Sequence, residues 1–437
     1  MRRTILSFLI ILCTALAAQA QPAPIYTLKS CLEQGLLNNY SLRITRNEQQ
    51  VSKNNATLAN AGYLPTLDLS AGYRGTLDNT ETKLRATGET TKENGVFDQT
   101  IDAGINLSWT IFDGFNITAN YQKLKELERQ GETNTRIAIE DLIANIAAEY
   151  YNYVQHKIRL NNFRYAVSLS KERLRIVEER YHIGNFSRLD YQQAKVDFNA
   201  DSAQYMKQQE LLHTSRIQLN ELMASENVDQ PFIIRDSLID VSDKLNFEEL
   251  WNATLQANAS LLKAEQNNTL ARLDYKKVSS RDYPYVKMNG GYGYTLNKYD
   301  ISANSRRSNV GVTVGFNLFD GNRRRERRNA RIAVQNARLE REQLEQALRA
   351  DLSNLWQAYQ NNLQMLNLER QNLVAAKENH EIAMERYMLG NLSGIEMREA
   401  QKSLLDAEER ILSAEYDTKL CEISLLQISG KVEQYLE

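Results

Sequence analysis

Apolar and polar residues alternate strictly along four short stretches of this chain. In the first, Leu67, Leu69, Ala71 and Tyr73 are interleaved with Asp68, Ser70, Gly72 and Arg74. In the second, Ile101, Ala103, Ile105, Leu107, Trp109 and Ile111 are interleaved with Asp102, Gly104, Asn106, Ser108 and Thr110. A period of two puts successive side chains on opposite faces of a strand, so strands are expected at about 66–77 and 100–112. Val286, Met288, Tyr292, Tyr294 and Leu296, and then Val310, Val312, Val314, Phe316 and Leu318, repeat the pattern and predict strands at about 285–297 and 309–319. A tilted strand of about ten residues spans a bilayer, and membrane barrels carry aromatics at their interfaces; Tyr73, Trp109, Tyr294 and Phe316 fit that role. The polar alternates Asp68, Arg74 and Asp102 suit a wet lumen better than an ordinary sheet packed on helices, which is the competing reading.

Elsewhere the period is helical. Ile139, Ile143, Ile146, Tyr150, Val154 and Ile158, and likewise Leu344, Leu348, Leu352, Leu355, Tyr359 and Leu363, recur at three and four residues, which lines one helix face. No proline interrupts the chain between Asn116 and Gln230 or after Asn322. Helices running from those points to Tyr181 and Tyr387 would each be on the order of 100 Å long, too long for a globular core. Asp113 and Asp320 are placed to cap them, and Gly184 and Gly390 to end them, with returning helices from about Arg188 and Ile395.

The two halves of the chain are copies. Leu28, Leu42 and Pro65 recur as Phe247, Leu261 and Pro284 at an offset of 219, and Asp113-Gly114 recurs as Asp320-Gly321 at 207. The segment from Arg180 to Ser187 recurs as Arg386 to Ser393 at 206. The drop in offset leaves 12 extra residues in the first half, within the polar stretch Asp78 to Gln99, expected as a longer surface loop. The expected plan is therefore a first repeat over 21–225, a linker over 226–244, a second repeat over 245–430 and a tail over 431–437. Each repeat holds a helical segment (Leu28 to Gly62, Phe247 to Arg281), two strands, a long helix and a returning helix, so the fold is mainly α with a four-stranded β contribution. Four strands cannot close a barrel, and open edges are not tolerated in lipid. A dimer, trimer or tetramer would each remove them.

The N-terminus carries Arg2 and Arg3, an apolar run from Ile5 to Leu16 and the small-residue pattern Ala18-Gln19-Ala20. This reads as a signal peptide over 1–20, with the mature chain starting at Gln21. Cys13 lies inside the run without a lipoprotein cleavage context. Beyond it, no apolar stretch is long enough for a transmembrane helix, which leaves a β-barrel open because alternation escapes window averages. The 53 basic and 55 acidic residues nearly cancel, which argues against nucleic acid as a partner. Cys31 and Cys421 lie far apart with no ligand-spaced neighbour, and His156, His182, His213 and His380 are scattered. No metal, no cofactor and no catalytic apparatus is expected. An envelope coiled-coil scaffold or adhesin would account for the helices but not for the symmetric strands.

The ordered set of duplication, Tyr63-Leu64-Pro65 and Asp282-Tyr283-Pro284, the Phe-Asp-Gly junctions at Phe112 and Phe319, and the two Tyr-x-x-Gly turns resembles the TolC-like outer-membrane efflux protein family over essentially the whole mature chain. The resemblance implies a homotrimer in the outer membrane, with a 12-stranded β-barrel continued by a long periplasmic α-helical barrel. It implies a conduit for efflux or type I secretion that docks onto a periplasmic adaptor and an inner-membrane transporter of RND, ABC or MFS type. It also implies adaptor-docking tips at Gly184, Asn185 and Phe186 and at Gly390, Asn391 and Leu392, and a periplasmic gate of Glu396 and Glu399, three apart on one helix face, with Asp190 and Tyr387 in latching positions. Leu392 stands where a member of the family carries an arginine, which implies a weaker or differently made latch here. Separately, Arg323, Arg324, Arg325, Arg327 and Arg328 open a helix where cations oppose the macrodipole, and contact with anionic headgroups of outer-membrane lipid is expected of them.

Overall fold

The computed structural model describes residues 24–184, 186–298 and 302–436. The expected signal peptide, 1–20, the expected mature terminus at Gln21 and tip residue Asn185 lie outside the described residues. The first half contains β1 (Ile25–Tyr26), α1 (Leu28–Asn38), α2 (Tyr40–Asn55), α3 (Leu58–Ala61), β2 (Thr66–Lys83), β3 (Thr90–Asp113), α4 (Asn116–His182) and α5 (Arg188–Leu222). After a connecting segment holding β4 (Ile233–Ile234), the second half repeats the order with α6 (Phe247–Ala257), α7 (Ala259–Ser279), β5 (Tyr285–Lys298), β6 (Ser302–Gly315), α8 (Gly321–Met388) and α9 (Gly394–Ile428).

The expected N-terminal helical segment of each half is broken, and by the same residue type. Asn39 leaves helical geometry at φ −54°, ψ 125°, while its amide donates to the Leu222 carbonyl at 3.0 Å. In the second half Asn258 does so at φ −63°, ψ 119°, donating to the Ile428 carbonyl at 2.9 Å. Each asparagine thus satisfies an orphan carbonyl at the C-terminal end of the returning helix, and staples the start of its repeat to that repeat's end.

The chain forms two compact units that do not follow the repeat boundary. One comprises the chain up to Arg43 with 138–258 and 348–437, and the other 44–137 with 259–347. In the first unit, Ile143, Ile146, Tyr150 and Val154 of α4 are buried with Leu32, Leu219, Met223 and Ile423. Leu352 and Tyr359 of α8 are buried with Leu250 and Leu425. The helical stripes read from the sequence therefore face the core. The buried Tyr150 hydroxyl donates to Asp236 at 2.7 Å and that of Tyr359 to the Ser242 carbonyl, as burial of a phenol requires.

The second unit holds the sheet, antiparallel throughout in the order β2-β3-β5-β6. The central β3–β5 pairing, from Gln99 opposite Lys298 to Asp113 opposite Tyr285, joins the two repeats. β2 and β6 are left as edges. Apolar side chains stand out along them, with Leu69 80 % exposed and Val310 76 % exposed.

Two sequence expectations are corrected here. The 12 extra residues are not a surface loop; β2 and β3 continue as an 18- and a 24-residue hairpin arm past a register shift between Asp78 and Thr80, pairing down to Lys83 opposite Thr90. Polar residues there have no apolar rhythm to betray a strand, and their order comes from cross-strand pairing. The fourth strand runs over 302–315 instead of 309–319: Gly315 faces Tyr285, and the chain preceding Tyr285 is Pro284, so Phe316–Phe319 have no strand to pair with.

Between β3 and α4 the chain turns sharply. Asp113 accepts from the Ile117 amide at 3.0 Å, so it caps α4, and Gly114 sits at φ +70° with the Ser280 carbonyl 2.2 Å from where a Cβ would be. Gly184 has a similar φ, +80°, but open space around it. Gly114→Ala therefore adds a backbone clash to the left-handed strain and should destabilise by on the order of 3 kcal/mol. Gly184→Ala incurs the strain alone, about 1–2 kcal/mol. Thermal unfolding of the detergent-purified protein checks the order: the Gly114 variant must melt well below the Gly184 variant.

Candidate functional site

The residues singled out by the repeated tip motif gather at the α4–α5 and α8–α9 turns, within the first unit. Gly390, at φ +77°, ends α8 with the Gly390 amide donating to the Tyr387 carbonyl at 3.0 Å and the Asn391 amide to the Arg386 carbonyl at 2.9 Å. This is the Schellman closure that a left-handed residue permits. The same bond from the Gly184 amide to the Tyr181 carbonyl, 3.0 Å, ends α4.

Each returning helix then starts with a capping box. The Ser187 hydroxyl accepts from the Asp190 amide at 3.2 Å, while the Asp190 carboxylate accepts from the Ser187 amide at 3.0 Å and hydroxyl at 2.7 Å. Ser393 and Glu396 reproduce this arrangement with the same three distances. Thus Asp190 and Glu396, both expected at the gate, have a local task that serine at N-cap and an acid at N3 encode directly. The Ser393 bonds hold the Glu396 carboxyl below its ordinary range. Glu399, three residues on, is exposed.

Tyr387 is 2 % exposed and its hydroxyl has no hydrogen-bond partner among the described residues; burial pushes its pKa up. The Arg180 guanidinium lies 6.0 Å from its ring and 5.4 Å from that of Phe186, which draws the two tips together. Tyr387, Asp190 and Glu399 line one cleft of about 370 Å³ with Phe186, Leu189 and Ile395. The structure therefore brings three of the four expected gate residues to one cleft, while Glu396 is not among the residues lining it.

The sequence reading missed a polar network, three members of which, Arg173, Asp197 and Arg398, line that cleft. Asp201 of α5, buried, receives both Nη atoms of Arg398 at 2.6 and 2.7 Å and the Ser170 hydroxyl of α4. Gln401 donates to the Ala166 carbonyl at 3.3 Å and to Ser170 at 3.4 Å. Arg173, also buried, pairs with Asp197. Asp201 keeps the Arg398 guanidinium more firmly protonated than usual. The signal that would have found these residues is the repeat itself: 206 positions after Ser170 and Asp201 stand Ala376 and Ala407.

The five arginines divide into two sets. Arg323 and Arg327 both pair with Asp282, and Arg323 also donates to the carbonyls of Arg281 and Asn317 at 3.0 and 3.3 Å. Arg324, Arg325 and Arg328 are exposed. Cys31 and Cys421 are both free thiols, and burial pushes Cys31 up to about 12. The Gln208 side-chain amide donates to His156 Nδ1 at 3.0 Å, and burial lowers the pKa of both His156 and His380. Among the described residues there is no cluster of metal-ligating side chains and no helix long and apolar enough to cross a membrane.

The depressed Glu396 pKa gives a pH signature. A carboxylate bonded in the folded state contributes stability above its unfolded pKa, about 4.3, and loses it as pH falls through the lower folded value. Ser393→Ala removes the two hydroxyl bonds and leaves the one from the backbone amide, so wild type should melt above the variant at pH 7, and the gap should shrink, without closing, below about pH 4.3. A gap independent of pH over that window would refute the assignment.

The family model for outer membrane efflux proteins matches residues 31–225 and 250–431, covering both repeats. The outer membrane protein TolC of Vibrio cholerae is 22 % identical over 388 residues, which is 86 % of this chain and 84 % of that protein. Among solved structures, the CmeC outer membrane channel of Campylobacter jejuni superposes with a TM-score of 0.77 at 17 % identity, covering 92 % of this chain and 85 % of CmeC. The open state of the MtrE outer membrane channel of Neisseria gonorrhoeae gives 0.71 at 17 % identity, covering 94 % and 90 %. The expected mainly α fold with duplicated halves and a small sheet is thus shared with outer-membrane channels of known structure, and the chain belongs to the outer membrane efflux protein family.

Proposed function

We propose that this protein acts, without catalysis of its own, as the passive exit duct of a tripartite efflux or type I secretion system. The observation that carries this reading is the four-stranded sheet with two unpaired edges and exposed apolar residues in a member of an outer-membrane family. An edge in lipid costs several kcal/mol for each unpaired group, so copies must share their sheets. Three copies supply twelve strands, the arrangement the family resemblance implies, with the long helices forming a periplasmic barrel. A periplasmic adaptor would dock at Gly184 and Phe186 and at Gly390, Asn391 and Leu392, where the turns leave open space around both glycines, and would couple the duct to an inner-membrane transporter of RND, ABC or MFS type. Asn185 belongs to the same proposed tip.

The gate proposed here consists of Glu396, Glu399, Asp190 and Tyr387. Three copies of a carboxylate pair at one constriction attract cations and repel one another. The unpartnered Tyr387 hydroxyl and Asp190 on the same cleft form a donor and an acceptor that a tightening of the tip would join. At the other unit, Arg324, Arg325 and Arg328 are the cations left exposed for lipid headgroups, whereas Arg323 and Arg327 serve Asp282 and hold the helix start.

In planar bilayers the purified protein should give discrete cation-selective openings that divalent cations block, and Glu396→Gln/Glu399→Gln should abolish the block. Folded protein with no openings would refute the duct; openings whose block survives both substitutions would refute the gate alone. Arg324→Gln/Arg325→Gln/Arg328→Gln should weaken binding to vesicles rich in phosphatidylglycerol while leaving binding to phosphatidylcholine unchanged, measured by flotation. Equal binding of variant and wild type to both would refute the headgroup contact.

A further inference from the structure

The two β-hairpins are copies pair for pair. In the first, Thr66 faces Ser108 and Asp78 faces Val96. At offsets of 219 and 207 these become Tyr285 facing Gly315 and Asn297 facing Ala303, which is the pairing found in the second. The first β-hairpin docks on the second through β3 and β5, with Ile105 opposite Tyr292, Leu107 opposite Gly290 and, past an irregularity at Ile111, Phe112 opposite Val286. β6, the counterpart of β3, has no such neighbour in a single chain.

Both sides of that contact nevertheless recur at the free edges. Val312, Val314 and Phe319 of the β6 side, counterparts of Ile105, Leu107 and Phe112, are exposed. A Cβ on Gly104 would lie 3.1 Å from the Tyr292 carbonyl oxygen and 3.2 Å from the Gly293 Cα; its counterpart is again a glycine, Gly311, yet nothing crowds it within 4 Å. On the other edge β2 presents what β5 presents to β3: Gly72, Tyr73, Thr76 and Leu77 repeat Gly291, Tyr292, Thr295 and Leu296. The two edges cannot meet within one chain, because β3 and β5 lie between them.

We infer that β6 of one copy pairs antiparallel with β2 of the next copy in the register that β3 and β5 set inside the chain. The inference rests on the duct reading and fixes its seam: Val312 opposite Tyr73, Val314 opposite Ala71, Arg307 opposite Asp78 and, past Leu318, Phe319 opposite Leu67. Apolar side chains then face apolar side chains across the seam. A slip by one residue would set the valine face of β6 against the polar face of β2. Slips by two keep the faces but move exposed Arg307 from exposed Asp78 to Thr76 or Thr80, so the opposite charges select one register among them. The segment Phe316–Phe319, which lies beyond the end of β6 in a single copy, gains a partner strand and extends β6 on assembly.

Disulfide trapping in the detergent-purified oligomer, oxidised with copper phenanthroline, tests the register. Tyr73→Cys/Val312→Cys should link neighbouring copies into higher-mass species on denaturing, non-reducing electrophoresis. Leu69→Cys/Val312→Cys and Leu77→Cys/Val312→Cys are displaced by four residues, about 13 Å along the strand, beyond the roughly 7 Å between Cα atoms that a disulfide spans. The two edges of one copy are about 14 Å apart, so a link can form only between copies, and wild type oxidised alongside gives the background from Cys31 and Cys421. The Tyr73 pair should yield at least about fivefold more linked chain than either displaced pair. Equal linking of a displaced pair, or no linking of the Tyr73 pair in a folded oligomer, overturns the register. Should the Tyr73 variant not assemble, Ala71→Cys/Val314→Cys reads the same register, and its failure to link in a folded oligomer overturns the inference by itself. Folded wild type that runs as a monomer before heating would instead refute the duct reading, and that result involves none of the substitutions.

Discussion

The constraint on which the rest depends is that a β-sheet in lipid has no water to satisfy its edges. β2 and β6 each leave one side of the ladder unpaired, and no apolar helix among the described residues offers another way through the bilayer. Closure must come from other copies of the chain. That requirement explains why so little of the sheet is buried in a single chain, and why the apolar rhythm along Leu67, Leu69, Tyr73 and Val310, Val312, Val314 stands exposed. It also accounts for the duplication. β3 of one repeat pairs with β5 of the other, so each chain contributes an unbroken four-strand segment, and the long helices that follow each hairpin start at equivalent places.

Much of this was legible in the residues because it depends on local periodicity. Strand alternation at 66–77 and 100–112, the uninterrupted helices after Asn116 and Asn322, the left-handed glycines at 184 and 390 and the acid caps are each set by neighbours within a few positions. The ends of elements were less legible. The polar hairpin arm between Asp78 and Gln99 owes its strand geometry to pairing across the turn, and the loss of Phe316–Phe319 from β6 is set by Pro284, which directly precedes β5. The break at Asn39 depends on a carbonyl at Leu222 that no local window contains.

The tip shows the same division. The turns and capping boxes follow from Ser187, Asp190, Ser393 and Glu396 alone, whereas Ser170, Asp201 and Arg398 look like ordinary helix residues until the fold brings α4, α5 and α9 together. Their divergence from Ala376, Ala407 and Gln192 is visible only when the repeats are compared position by position. In energetic terms the tip combines apolar packing inside the α8–α9 hairpin with charged contacts to α5. The former holds a hairpin as one body; the latter sets where that body rests.

The most direct test of the central claim is the mass of the folded protein released from its detergent micelle, by native mass spectrometry. The account predicts a single species of three chains, whose twelve strands leave no edge. A folded monomer, with its four-stranded sheet still open, would contradict it.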